Sequence, residues 1–349
     1  MALVGTTASG KSALALAAAS RCQDVEIVSV DSMCVYRSMD IATAKPPPEV
    51  RATVPHHLVD LVDPWEEFTV SQFQRAAAAA LSLLAARGTR ALLVGGTGLY
   101  LRAVVDGLDL PPRYPEVAAA LEAEAAEPGG VARLHARLGQ LDPLAASRTT
   151  AANRRRVVRA LEVTIGSGRP FSSFGPGLQT YPPTPVAQIG LPFDPVAVDR
   201  RIEERFATWL EQGLLDEVAR LASLPHGLSR TARQAVGYRE LLAHVEHGAP
   251  LEACIEQAVR RTRALARRQW AWFRRDPRIR WLSDDDDAVA VVCDALTSPA
   301  APPTEPRACR SAGGVHDGVA PVPAHGGVVP AHGGVVPVHG GCPPAARLV

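Results

Sequence analysis

The chain has 349 residues, 47% of them hydrophobic and 21% charged, with a formal net charge of +1. That balance excludes a wholly disordered chain, and the length allows a substantial core and more than one domain. No apolar run reaches the ~18 residues that a membrane-crossing helix needs, so a cytoplasmic protein with no membrane contact is expected.

The Ala/Leu stretch near the start imitates a secretory signal, but its charged residue, Lys11, follows a glycine-rich turn instead of preceding the apolar run. Six cysteines (Cys22, Cys34, Cys254, Cys293, Cys309, Cys342) lie far apart with no CxxC pair. Reduced thiols are therefore expected, not a disulfide framework or a zinc ribbon. Of the 37 basic residues only Lys11 and Lys45 are lysines, which a coding bias toward arginine largely explains.

From residue 2 to about residue 107, short apolar runs (ALV before Gly5, EIVSV before Asp31, ALLV before Gly95) alternate with Ala/Leu helical stretches. Uninterrupted apolar runs suit strands covered on both faces, which predicts an α/β fold: a P-loop-type parallel sheet flanked by helices. Only four residues precede Gly5. The expectation is a chain that starts upstream, or a truncated strand with a cost in stability.

Residues 113–180 change to Ala/Glu/Arg/Leu helices broken at Pro128-Gly129-Gly130 and Gly166-Ser167-Gly168, which predicts a helical insertion between a first core part (1–112) and its completion (181–297). That completion opens on a strand candidate, VAQIGL at 186–191, and continues in helices to about Arg275. Residues 253–280 hold nine arginines against two acids, with Trp270, Trp272 and Phe273 among them, and an acidic run follows at 284–287. Residues 298–349 collapse to Pro, Ala, Gly, Val and His, with AHGGVVP recurring through His325, His332 and His339. A disordered tail is expected, and metal binding by its histidines is the minor reading.

The segment Gly5-Thr6-Thr7-Ala8-Ser9-Gly10-Lys11-Ser12 satisfies G-x-x-x-x-G-K-[ST], after a strand and at the start of a helix. Its backbone N–H groups would cradle a diphosphate, with Lys11 adding a point charge and Ser12 a ligand for Mg²⁺. The motif is shared with nucleotide-binding and ATP-binding proteins and does not say which phosphate compound is held. A kinase would want a second acidic site, yet LLVGGTGLY at 92–100 offers none. Asp31 stands at the end of the EIVSV strand, where open α/β sheets place ligands. Metal ligand, general base and turn former all remain open for it on this basis.

The ordered segments GTTASGKS, DSMCVYRSMDIATAKP (31–46), VPHHLVD (54–60), VGGTGLYLRA (94–103), RRVVRALEV (155–163), QAVGYRE (234–240) and TRALARRQWAWFRRD (262–276) resemble the tRNA dimethylallyltransferase (tRNA isopentenyltransferase) family over roughly residues 1–283. The resemblance implies that the loop holds dimethylallyl diphosphate rather than ATP. It further implies transfer of the dimethylallyl group to the exocyclic amine of the adenosine beside the anticodon, with release of diphosphate.

In that frame Asp31 is the base, while Lys11, Ser12 with Mg²⁺, and the Thr97 hydroxyl stabilise the leaving diphosphate; Arg201 and Arg205 lie near it. Asp31, Ser32, Met33, Cys34 and Thr97 contact the adenosine. Cys34 stands where the family has glutamine and lacks that residue's paired donor and acceptor. Thr6 replaces a common proline. Ala118 sits near a position where many members carry an RNA-contacting arginine, for which Arg113 is a local substitute.

For the anticodon stem-loop, the candidates are Arg155, Arg156 and Arg159 on one helical patch, Gln234, Tyr238 and Arg239 in QAVGYRE, and the arginine stripes that include Arg267 and Arg268. A salt-bridged surface helix is the alternative for those stripes, disfavoured because only Glu256 and Asp276 are at hand locally. Tyr238 is equally readable as a core aromatic. A metal role for the adjacent His56 and His57 is discounted, since neighbouring side chains diverge. Lys45, the second lysine, is expected to contribute near the substrates. A monomer is the default. The rival functions are a small-molecule kinase, prenylation of free adenine nucleotides, and an RNA-binding module with a vestigial phosphate site.

Overall fold

The computed structural model describes residues 1–298. The low-complexity segment with His325, His332 and His339, together with Cys309 and Cys342, lies outside the described residues. The first half builds β1 (Ala2–Val4), α1 (Lys11–Arg21), β2 (Val25–Ser29), α2 (Pro48–Thr53), β3 (His56–His57), α3 (Val70–Ala86), β4 (Arg90–Gly95) and α4 (Gly98–Val105). Four helices follow, α5 (Pro115–Ala126), α6 (Gly130–Leu141), α7 (Pro143–Ser147) and α8 (Arg154–Ser167). The chain then returns through β5 (Gln188–Gly190), α9 (Pro195–Glu211), α10 (Leu214–Ala222), α11 (Tyr238–His247), α12 (Leu251–Phe273), β6 (Ile279–Trp281) and α13 (Ala288–Thr297).

The strands form one parallel six-stranded sheet in the order β3-β2-β4-β1-β5-β6. Side chains alternate between its two faces as a period of two demands. Leu3, Ile27, Leu92 and Val94 pack with Leu14 and Ala18 of α1 and Val292 of α13. Val4, Val28 and Leu93 face the other layer, with Phe73 of α3, Leu101 of α4 and Phe273 of α12. Covering on both faces is why these strands read as continuous apolar runs.

Local chemistry sets the helix ends. Thr69 and Gln72 make a reciprocal capping box at the start of α3, and Asp194 caps α9 ahead of Pro195. The acidic run after β6 is likewise local: Asp286 accepts from Ser283, and Asp287 caps α13 by accepting from Ala290. Helices α5, α6 and α8 share a cluster of their own built on Leu121, Leu134, Leu138, Val157 and Leu161. Two short strands went unseen in the sequence. β3 is only His56–His57, and β6 falls inside the arginine-rich stretch, where its basic residues mask the apolar Ile279.

Candidate active site

Three neighbouring strands, β2, β4 and β1, deliver the central groups at their C-terminal ends. Asp31 follows β2, Thr97 follows β4, and the phosphate loop follows β1 and opens α1. The Thr97 loop thus lies between the acid and the loop, because β4 lies between their strands. A cavity of about 330 Å³ is lined by Thr7, Lys11, Ser12, Asp31, Cys34 and Arg205 among others.

In the phosphate loop, Gly10 adopts a left-handed φ of 94°, which favours glycine at the turn into α1. Lys11 Nζ donates to the Thr6 carbonyl at 3.1 Å. Burial pushes the Lys11 ammonium below its usual range; Asp31 pulls it back and Arg205 presses it further down. Arg205 is itself lowered by burial and by Arg201. Arg201 reaches the loop from α9, donating to the Ala8 carbonyl at 3.3 Å. Lys11 and Arg205, both half-buried, and the exposed Arg201 are neighbouring cations that disfavour one another's charge, which suits a polyanion in their midst. Two loop hydroxyls, Thr6 Oγ1 and Ser9 Oγ, are buried without a protein partner among the described residues.

Asp31 Oδ1 accepts the N–H groups of Met33 (2.7 Å) and Cys34 (3.2 Å), closing a tight turn. Among the described residues Oδ2 has no protein partner and is left for chemistry. The Thr97 hydroxyl accepts the Ser32 N–H at 3.3 Å, so its own hydrogen stays free to donate. Cys34 is buried, its thiol donating to the Thr43 carbonyl at 3.5 Å and pushed upward by burial and by Asp31. It is a protonated lining group, without glutamine's second polar atom.

Several residues expected to touch substrate are committed to the protein instead. Lys45 lines the cavity, but its ammonium donates to the Tyr36 carbonyl, Asp40 Oδ1 and Asp60 Oδ1, each at 2.6 Å, using all three N–H bonds. Asp60 is further held by Arg51 at 2.8 Å. Lys45 is thus a brace for the segment that forms the cavity wall. Tyr238 is fully buried and donates to Glu217 at 2.5 Å; the same carboxylate accepts the Asp40 and Ile41 N–H groups. It packs as a core aromatic and also lines the cavity wall.

The basic stripes divide in the same way. Arg159 is taken up by the Pro111 and Pro112 carbonyls and by Glu162. Arg260 pairs with Glu256, Arg261 with Glu240, Arg263 with Asp199 and Glu203, and Arg267 with Asp199. Most of these acids come from α9 and α11, so counting acids within the stretch undervalued the salt-bridged reading. Arg155, Arg156, Arg239 and Arg268 remain exposed with no ion pair among the described residues, and Gln234 is exposed at the start of QAVGYRE. Ala118 is half-buried on α5, within the four-helix segment and away from the cavity lining.

One residue at the centre of the site escaped notice in the sequence. Gln269 of α12 accepts the Thr7 N–H through Oε1 at 2.7 Å and donates from Nε2 to the Gly96 carbonyl at 3.1 Å.

The family model described as IPP transferase matches residues 34–276. A tRNA dimethylallyltransferase of Thermobifida fusca is 45% identical over 306 residues, spanning 84% of this chain and 94% of that protein. The chain belongs to the IPP transferase family. Another IPP transferase relative, the tRNA dimethylallyltransferase of Roseiflexus castenholzii, is 47% identical over 291 residues, 82% of this chain and 92% of that one. Among solved structures, the full-length tRNA isopentenylpyrophosphate transferase of Bacillus halodurans is similar with a TM-score of 0.60 at 35% identity, covering 84% of this chain and 93% of its own. A eukaryotic dimethylallyltransferase acting on tRNA gives a TM-score of 0.68 at 26% identity over 86% and 81% of the two chains. The span matched as IPP transferase includes Cys34, Thr97, Arg201, Arg205 and Gln269.

Proposed function

We infer that this chain is a tRNA dimethylallyltransferase, moving the dimethylallyl group of dimethylallyl diphosphate onto the exocyclic amine of the adenosine beside the anticodon. The observation that carries the reading is the side-by-side delivery of Asp31, Thr97 and the phosphate loop from adjacent strands, with Asp31, Lys11 and Ser12 lining one cavity. An adenine amine is a weak nucleophile because its lone pair is delocalised into the ring. As the nitrogen bonds to the first carbon of the allyl chain, the carbon–oxygen bond to diphosphate breaks and the amine proton passes to Asp31 Oδ2.

Charge grows on the departing diphosphate, and the loop N–H groups, Lys11, Arg201 and Arg205 stabilise it in place. The free hydrogen of the Thr97 hydroxyl suits the bridging oxygen. The donors that face the loop, the Ser12 hydroxyl and the Asp31 carboxylate, are hard oxygens, and the described residues hold no cluster of three His, Cys, Asp or Glu. Such a sparse oxygen set fits Mg²⁺, which keeps waters and phosphate oxygens as its other ligands. Bound there by Ser12, the ion would neutralise charge on the diphosphate.

The base is a loop nucleotide, so extruding it costs only about a few kcal/mol. The exposed Arg155, Arg156, Arg239 and Arg268 are the phosphate contacts of choice for the stem-loop. The protein acts as a monomer in the cytoplasm. Among the described residues no helix is long and apolar enough to cross a membrane. Incubation with labelled dimethylallyl diphosphate, Mg²⁺ and an unmodified anticodon stem-loop tests the proposal: label in the RNA and one diphosphate released per transfer are expected, and ATP consumption with unlabelled RNA would overturn it.

A further inference from the structure

Resting on the transfer chemistry above, we propose that Gln269 is the positioning residue that sets the spacing between the diphosphate cradle and the general base. The ladder between β1 and β4 ends at the pair Val4 and Gly95. Beyond it the two chains diverge into the phosphate loop and the GGTG loop, and no strand pairing holds one against the other. The Gln269 carboxamide replaces the missing rung. It accepts from Thr7 on one loop and donates to Gly96 on the other, across sequence separations of 262 and 173 residues.

Gly96 is followed by Thr97, whose hydroxyl takes the Ser32 N–H beside Asp31. Hydrogen bonds on either side of the Gly96–Thr97 peptide therefore link the phosphate loop, through Gln269 and Thr97, to the turn that carries Asp31. The glycines of GGTG report how closely α12 approaches. A Cβ on Gly96 would stand 2.5 Å from Gln269 Nε2, and one on Gly98 would collide with the Trp272 ring, one helical turn along.

Residue type matters here, because the site needs an acceptor for an N–H and a donor for a carbonyl on one planar group. A neutral amide supplies both without adding charge beside a diphosphate. In-line transfer requires the breaking carbon–oxygen bond and the attacking nitrogen to be held in register. Both polar atoms of the Gln269 carboxamide are spent on the two loops, so its part is to fix the loops that hold those atoms.

Gln269→Met keeps the side-chain length and removes both hydrogen bonds, whereas Gln269→Glu keeps the acceptor for Thr7 and loses the donor to Gly96. Steady-state transfer by Gln269→Met should show kcat lower by about 100-fold, with KM for dimethylallyl diphosphate and for the stem-loop each within about threefold of wild type. Amide exchange at Thr7 gives a second readout independent of turnover. The Thr7 N–H should lose protection in Gln269→Met and keep it in Gln269→Glu, while inorganic diphosphate still binds the Met variant. Unchanged kcat in Gln269→Met, a loss confined to KM, or equal Thr7 exchange in wild type and Gln269→Met would each overturn the proposal. A wild-type protein that shows the Thr7 protection pattern but transfers no dimethylallyl group would contradict the functional reading instead, and leave the tie standing.

Discussion

The Thr97 hydroxyl accepts the backbone N–H of Ser32 at 3.3 Å, binding the loop after β4 to the turn that presents Asp31. Acceptance from Ser32 orients the oxygen and leaves its hydrogen for a ligand. Thr97→Val, which keeps the shape and loses both functions, should lower kcat by roughly 10²-fold, the usual cost of removing one donor to a developing anion. Thr97→Ser should retain most of the activity. Comparing the two in the transfer assay separates the hydroxyl from simple packing.

Lys45 holds Asp40 and Asp60 together beside the cavity, with only 2% of its side chain exposed. Lys45→Met leaves Asp60 facing Arg51 alone and the Tyr36 carbonyl without a donor. Because Asp40 is itself half exposed, the loss should sit at the low end of the range for a broken buried pair, about 3 kcal/mol. Urea unfolding checks this. Lys45→Arg should also destabilise, since a planar guanidinium cannot direct its N–H groups to three converging oxygens as an ammonium does.

Asp142 supplies an acid-sensitive element in the helical segment. Burial alone would raise its carboxyl, but the N–H groups of Ala145 and Ser172 and the Ser172 hydroxyl outweigh that and hold it below the ordinary 3.8. A depressed folded-state pKa contributes stability that is complete above the unfolded value and lost as pH falls through the folded one. Below about pH 4 the unfolding midpoint of wild type should therefore fall more steeply than that of Asp142→Asn, which has no charge there to lose.

Arg267 and Arg268 are sequence neighbours with different partners. Arg267 donates to Asp199 at 2.7 Å, whereas Arg268 is exposed with no ion pair among the described residues. Binding of an anticodon stem-loop measured across salt concentration should lose about one unit of slope in Arg268→Ala. Arg267→Ala should change the slope less, because its charge is already offset.

The division between what was legible and what was not follows the range of each interaction. The phosphate loop could be read because strand, glycine turn, lysine and helix lie within a dozen residues, and the parallel sheet because strands covered on both faces leave continuous apolar runs. Asp31 and Thr97 were placed by resemblance and by their positions after strands. The partners of Arg263 and Arg267 were invisible because Asp199 and Glu203 belong to α9, which meets α12 only in the fold. Gln269 was hidden for the same reason: within RRQWAWF nothing distinguishes it from its neighbours until α12 crosses the two loops. Lys45 was seen as unusual by its rarity, but its role depends on Asp60, on a different segment.

The proposed transfer turns on Asp31, which takes the proton from an adenosine amine while the neighbouring loop releases diphosphate. Asp31→Asn keeps an oxygen for the Met33 and Cys34 N–H groups, so the turn is preserved while the base is removed. Single-turnover transfer from labelled dimethylallyl diphosphate to an unmodified anticodon stem-loop, measured for wild type and Asp31→Asn, tests this most directly. Label on the exocyclic amine is expected with wild type, and a rate lower by about 10²–10⁴-fold in the variant. Equal rates in the two proteins, or no label in the RNA with wild type, would contradict it.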